Sequence, residues 1–267
     1  MNQFSIKHFS QLVYQKCGLN YLNNLVTLEN KIMKRVHELQ LNSLWEYCKY
    51  LEEQPVEWDQ AVEILTINET YFYREENQLV EFKNVVLPLI KQKGGKVRIW
   101  SAACSTGEEP YTLAMMIKET GLFPPEEFEI VATDINKRVL EVAENGFYSK
   151  TSLSFRRIPD ELLNKYFVEG PTGYTVTNEI KEQVQFKYLN LLDETSMKQM
   201  LHFDVIFCRN VLIYFDQETI KKVTTHFFHS LKKDGYLFLG HSENISTFNI
   251  GYKTVNTPST FYYKKEL

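Results

Sequence analysis

The sequence predicts an α/β protein built on a doubly wound, mostly parallel sheet, with an N-terminal helical domain and a small inserted β-subdomain. Three observations lead there. From Lys96 onward, short β-branched and aromatic runs alternate with segments of helical period, the mark of strand–helix–strand units. Residues 1–65 carry apolar residues at helical spacing instead, and no glycine occurs between Gly18 and Gly94. Residues from about 147 to 183 interrupt the later rhythm with turn chemistry, "EGPTGYTVTNEI", in which Tyr174 and Val176 alternate.

The bulk numbers fit this class and narrow the function. A chain of 267 residues, 43% hydrophobic and 24% charged, can bury one or two sizeable cores. A net charge of −4 disfavours gripping a nucleic-acid backbone, which needs a basic field. The four cysteines, Cys17, Cys48, Cys104 and Cys208, lack any C-x-x-C spacing and read as reduced cytosolic thiols. The six histidines show no paired metal-ligand spacing, so no metal is expected. "MNQFSIKHFS" has no signal-peptide core, and no stretch approaches the ~20 apolar residues of a membrane span. The expectation is a cytoplasmic monomer with no direct membrane insertion.

In chain order, "LENKIMKRVHELQ" places Ile32, Val36 and Leu39 on one buried helical stripe. Lys31, Lys34 and Arg35 share another face at i, i+3, i+4. "SLWEYCKYLEE" opens with Ser43 and has Glu46 three residues on, a capping-box pattern. "ILTINETYFYREENQ" fits neither period, and residues 66–78 read as a linker with a role of their own. Strands are expected at 97–101, 129–133, 184–189, 204–208 and 236–240, and stretches at 252–255 and 261–264 could close the sheet. Helices are expected at 111–120, 136–145 and 217–231. The α/β domain runs from 79 to 267.

In such a sheet the ligand lies at the carboxyl ends of the strands. Four polar clusters meet there. "IWSAACSTGEEPYTLAM" is a strand–loop–helix whose small residues Ala102, Ala103 and Ser105, with Gly107, admit a ligand close to the backbone. Asp134 ends "EIVATD", where an acid bonds a ribose diol. Asn190 ends "FKYLN", and Arg209 and Asn210 end the strand in "FCRNVLIYF", with Tyr214 four residues beyond Asn210. Glu108 and Glu109 at the helix start would repel a pyrophosphate; at ~4 Å and an effective dielectric of ~20 one such repulsion is about 4 kcal/mol. A cationic ligand with a ribose and no phosphate escapes that penalty, and S-adenosylmethionine is such a ligand. Each residue also has a plainer reading. The glutamates can complement the helix dipole, Asp134 can cap a helix, Asn190 can make a turn, Arg209 can sit in a structural ion pair, and Tyr71, Phe72 and Tyr73 can be core.

At these residues the sequence resembles a known family. "LTINETYFYRE", "IWSAACSTGEEPYTLAM", "VATDIN", "FDVIFCRNVLIYF" and "GYLFLGHSE" are similar to the motifs of the chemotaxis receptor glutamate methyltransferases, the CheR family. The resemblance spans nearly the whole chain. It implies a class I methyltransferase-like domain preceded by a helical domain and a linker. The implied activity is methylation of glutamate side chains on the cytoplasmic helices of membrane chemoreceptors, giving γ-glutamyl methyl esters, with S-adenosyl-L-homocysteine as the other product. By residue-for-residue match, cofactor contacts are implied at Asn68, Thr70, Arg74, Ala103, Glu108 or Glu109, Asp134, Asn190, Leu191, Arg209 and Asn210. Arg74 and Tyr214 match positions that orient the acceptor carboxylate and the methyl group. Lys31, Lys34 and Arg35 are the candidate basic patch for acidic receptor helices. Ile67 and Tyr73 depart conservatively from the linker motif. The turn "VEGPTG" is shorter than in members that dock a receptor tether peptide, so no tether binding is expected. A methyltransferase for another acceptor, or a non-catalytic module that binds the cofactor, are the alternative readings.

Overall fold

A computed structural model of the chain describes residues 3–266. Four helices come first: α1 (Gln3–Cys17), α2 (Leu25–Glu38), α3 (Leu44–Glu53) and α4 (Glu57–Leu65). They close on a core that includes Phe9, Val13, Leu28, Ile32, Val36, Tyr47 and Leu51. The stripe on α2 runs Leu28–Ile32–Val36; Leu39, expected to continue it, is the helix C-cap and only half-buried. Ser43 caps α3, its hydroxyl accepting from the Glu46 amide at 3.2 Å. The reciprocal bond reaches one residue further back, from the Asn42 amide to Glu46 at 2.9 Å.

Residues 76–93, which hydrophobic period leaves unassigned, are helical: α5 (Glu76–Glu81), a π-helical turn at Phe82–Val86, and α6 (Leu87–Lys93). The wide turn shifts the phase of the buried residues, and Pro88 supplies no N–H to the ladder, so no single 3.6-residue period runs through the segment.

The alternating half follows in order: β1 (Val97–Ala102), α7 (Glu108–Thr120), β2 (Phe128–Asp134), α8 (Lys137–Asn145), β3 (Phe147–Ser149), α9 (Asp160–Tyr166), β4 (Phe167–Glu169), β5 (Gly173–Val176), α10 (Asn178–Lys181), β6 (Val184–Tyr188), α11 (Glu194–Met197), β7 (Phe203–Cys208), α12 (Gln217–Ser230), β8 (Leu231–Leu239), β9 (Tyr252–Asn256) and β10 (Phe261–Lys265). Seven strands form one sheet in the order β6-β2-β1-β7-β8-β10-β9, parallel except for β10, which is antiparallel to both of its neighbours. The fold is the doubly wound, class I methyltransferase-like architecture expected. β8 begins at Leu231, five residues before the expected start, immediately after α12.

Side chains of β1 alternate between two cores. Val97 and Ile99 face one with α7, while Trp100 and Ala102 face the other with Val223 and Phe227 of α12. Both faces are covered, which is why these strands read as continuous apolar runs. α7 is buried almost all round, from Pro110 to Ile117. Its outer side is covered by the inserted three-stranded sheet, order β3-β5-β4. Phe72 of the linker plugs the seam: it is fully buried and packs against Tyr148, Phe155 and Phe167, with ring centroids 5.0–5.5 Å away.

Candidate active site

Strand order reverses between β1 and β7, and the loops that leave their carboxyl ends open a cleft there. The loop after β1 is bent hard. Ala103 and Ser105 adopt left-handed φ of 57° and 50°, and Gly107 has φ 93°. A Cβ on Gly107 would lie 2.8 Å from that of Ala143, so only glycine lets α7 start against α8 here. Asp134 holds the bend in place. One carboxylate oxygen accepts the Ser105 amide at 2.9 Å, the other the Asn136 amide at 2.8 Å. Burial pushes the Asp134 carboxyl up while these backbone N–H groups pull it back down. The cap of α8 is Asn136, not Asp134: its side chain accepts the amides of Arg138 and Val139.

The two glutamates at the start of α7 part company. Glu109 turns toward the cleft, accepting Ser101 Oγ at 2.7 Å and Arg209 Nε at 2.7 Å. The Arg209 side chain is only 2% exposed, so this is a buried ion pair, and Glu109 brings no uncompensated negative charge. Glu108, carried as a possible cofactor contact, does not line the cleft. It faces the insertion, where Thr106 Oγ1 and Ser154 Oγ donate to it at 2.7 and 2.8 Å. At the acidic helix start that argued against a phosphate, Glu109 is therefore paired and Glu108 is turned away, which leaves Asp134 as the buried carboxyl at the cleft without an ion-pair partner among the described residues.

Burial pushes the Glu108 carboxyl above its ordinary range. The folded protein then keeps a proton that the unfolded chain loses as pH rises past about 4.3. Stability due to Glu108 therefore declines from that pH up to its folded pKa. Glu108→Gln stays neutral throughout, and its amide can bond both hydroxyls after they rotate. Urea melts from about pH 5 to pH 8 should show the variant gaining on the parent as pH rises; a variant-minus-parent stability difference that falls as pH rises refutes the assignment.

The loop after β7 is fixed from below. Asn210 is left-handed, φ 61°. Its amide and that of Gly240 donate to one oxygen of buried Glu243, at 3.0 and 2.6 Å. The other oxygen takes the amides of Val211 and Ile213, at 2.8 and 3.3 Å. The Asn210 side chain donates through Nδ2 to Glu75 at 3.1 Å, and its Oδ1 is buried and has no partner among the described residues. Tyr214 closes the short turn Leu212–Tyr214, half-buried. Burial raises its hydroxyl pKa and the nearby Arg74 charge opposes that rise. Arg74 itself is set by the linker: Nη1 donates to the Glu69 carbonyl at 2.8 Å, and its own carbonyl accepts Arg209 Nη1 at 2.7 Å.

These groups line one cavity of about 470 Å³. Asn68, Thr70, Arg74, Ala103, Glu109, Asp134, Asn190, Leu191, Arg209, Asn210 and Tyr214 all border it. Asn190 also makes the plain turn, accepting the Leu192 amide and donating to the Lys16 carbonyl at 2.7 Å. One wall comes from the helical unit, through Cys17, Asn20, Tyr21 and Asn24. That wall was not expected, although the Asn-rich loop "CGLNYLNN" offers polar groups at a helix junction. Glu75 and Glu243 were also missed as supports of the site.

The basic trio on α2 does not form one free patch. Lys31 borders the cavity and donates to the Leu65 carbonyl at 2.9 Å. Arg35 makes two bonds of 2.8 Å to buried Glu57, which also accepts Tyr47. Of the three, Lys34 is the exposed one, at 87% of its side chain.

The family described as CheR methyltransferase, SAM binding domain, matches residues 68–261, and CheR methyltransferase, all-alpha domain, matches residues 5–66. Chemotaxis protein methyltransferase 2 of Vibrio cholerae is 34% identical, covering 96% of this chain and 91% of its own. Chemotaxis protein methyltransferase of Escherichia coli is 36% identical over 90% of this chain and 84% of its own. Chemotaxis protein methyltransferase 1 of Pseudomonas aeruginosa is 36% identical over 96% of both.

Proposed function

The chain belongs to the CheR methyltransferase family, and on that premise we propose that it methylates glutamate side chains on the cytoplasmic helices of chemoreceptors, forming γ-glutamyl methyl esters. Its family makes it an S-adenosylmethionine-dependent methyltransferase of chemotaxis. The cavity suits that cofactor. Its volume lies in the range of small-molecule sites. Asp134 offers a buried carboxylate with each oxygen holding one backbone N–H and a lone pair to spare, suited to ribose hydroxyls. The observation that carries the finer reading is that Arg74 and Tyr214 border the same cavity as Asp134 and Asn210.

S-adenosylmethionine supplies a methyl group on a positively charged sulfur. The acceptor carboxylate, with an ordinary pKa near ~4.3, is already ionised at neutral pH, so no residue has to remove a proton. The chain's work is desolvation and alignment, and good positioning can supply roughly 7–11 kcal/mol. Arg74 has one N–H committed to Glu69 and keeps the rest of its fork for the acceptor, holding one carboxylate oxygen while the other attacks. Tyr214 donates a hydrogen bond beside the reacting group; among the described residues its hydroxyl has no other partner.

The decisive assay supplies labelled cofactor and receptor cytoplasmic fragments and reads base-labile methyl esters. Base-stable product, or labelling only of another acceptor, overturns the glutamate assignment. A second test uses the docking charge. Lys34→Glu should slow association with an acidic receptor helix by about two- to fivefold at low salt, and the effect should fade above a few hundred millimolar. Stopped-flow or surface-resonance rates at two ionic strengths read it; identical rates at low salt remove Lys34 from the docking patch. Arg35 is a poor choice for this test, because reversing it strands buried Glu57.

A further inference from the structure

Left-handed backbone gathers around the cavity. Of the nine non-glycine residues with positive φ among those described, Tyr73, Glu75, Ala103, Ser105 and Asn210 border it or flank Arg74. Such conformations persist only where surrounding bonds over-determine them. Asp134 does this for Ser105. For Asn210 the structure shows two carboxylates doing it from opposite ends: Glu243 takes the backbone N–H and Glu75 takes the side-chain Nδ2.

We propose that Glu243 and Glu75 are positioning residues for the methyl-donor site, acting together to hold Asn210 in place where it borders the cofactor cavity. Glu243 lies 33 residues from Asn210 in sequence, 4% exposed and outside the cavity lining. Its two oxygens accept four amides, from Asn210, Val211, Ile213 and Gly240. The space for it is reserved: a Cβ on Gly240 would lie 2.8 Å from Glu243 Oε2 and 2.9 Å from the Asn210 amide. Glu75 then fixes the amide's rotation. Nδ2 is the only end of that amide able to donate, so bonding it to Glu75 leaves Oδ1 as the acceptor. The same Glu75 oxygen sits 3.2 Å from His241 Nδ1, which ties the "GHSE" segment to both supports. A carboxylate is needed at 243 because a carboxamide presents only one accepting atom to four N–H donors.

The inference rests on assignment of the cavity to the cofactor, and binding experiments separate the two. Isothermal titration of the full chain with S-adenosylhomocysteine comes first; no binding by the parent protein overturns the cavity assignment itself. Given binding, Glu243→Gln should raise Kd about tenfold or more. Glu75→Ala, a half-buried position whose loss leaves the core intact, should raise it about three- to tenfold with little change in Tm. The cycle with Asn210→Ala identifies the route. If the glutamates act through Asn210, neither change should add more than about twofold in the Asn210→Ala background. Independent, multiplying effects overturn the proposal. So does a Glu75→Ala protein with unaltered Kd, or a Glu243→Gln protein whose Tm falls while the Kd of its folded fraction is unaltered. If Glu243→Gln does not fold, the Glu75→Ala cycle alone decides.

Discussion

Arg74→Ala should lower kcat/KM for methyl transfer by about 10²–10³-fold, the loss typical of removing one preorganised charge-stabilising donor. Arg74 has few other ties in the fold. Its side chain makes one bond, to the Glu69 carbonyl, and lies 5.6 Å from the Tyr71 ring. Its backbone is anchored separately, by Arg209 Nη1 on the Arg74 carbonyl. Truncation therefore leaves the linker in place and removes only the guanidinium. Arg74→Lys keeps a charge but loses the planar fork that can hold one carboxylate oxygen in register, so it should recover only part of the rate. Steady-state kinetics with receptor fragments, beside titration with S-adenosylhomocysteine, divides the loss between chemistry and cofactor binding. Turnover within a few-fold of the parent would remove Arg74 from the mechanism.

Why parts of this site could be read from sequence and others not has physical reasons. Asp134, Arg209 and Asn210 were found because β/α alternation fixes where a strand ends, and a strand end in a parallel sheet faces the ligand cleft. The choice between Glu108 and Glu109 could not be made that way. Adjacent helical residues point about 100° apart, and deciding which faces inward requires knowing that the inserted β-sheet covers the other side of α7. The basic trio reads as one patch in the sequence for a related reason. Spacing of i, i+3, i+4 places Lys31, Lys34 and Arg35 on one helical face, but the partner of Arg35 is Glu57 on α4 and that of Lys31 is the Leu65 carbonyl. Tertiary contacts pair the Arg35 charge with Glu57 and turn Lys31 to the cavity edge. Glu243 ends the quoted motif "GYLFLGHSE", but nothing in that segment shows its task, which is to accept amides from the loop after another strand.

A second large effect is expected at Asp134, and it tests the electrostatics that remain once Glu109 is paired with Arg209 and Glu108 is turned out of the cleft. Asp134→Asn is close to isosteric. In the parent, each carboxylate oxygen accepts a backbone amide, Ser105 on one side and Asn136 on the other. In the variant one of those amides faces an NH₂ group instead, which cannot accept, and the ribose hydroxyls lose a charged acceptor. Bonds to charged groups contribute about 1.5–3 kcal/mol each, so losing one with some loop displacement corresponds to a rise in Kd for S-adenosylhomocysteine of about 10²-fold. The thermal shift produced by a fixed ligand concentration should collapse accordingly, because stabilisation follows the ratio of ligand to Kd. Two results separate the loop-holding role from the ligand-holding role. If unliganded Tm falls and Kd changes by less than threefold, Asp134 serves only the bend at Ser105. If Tm is nearly unchanged and the ligand shift disappears, its carboxylate bonds the cofactor directly.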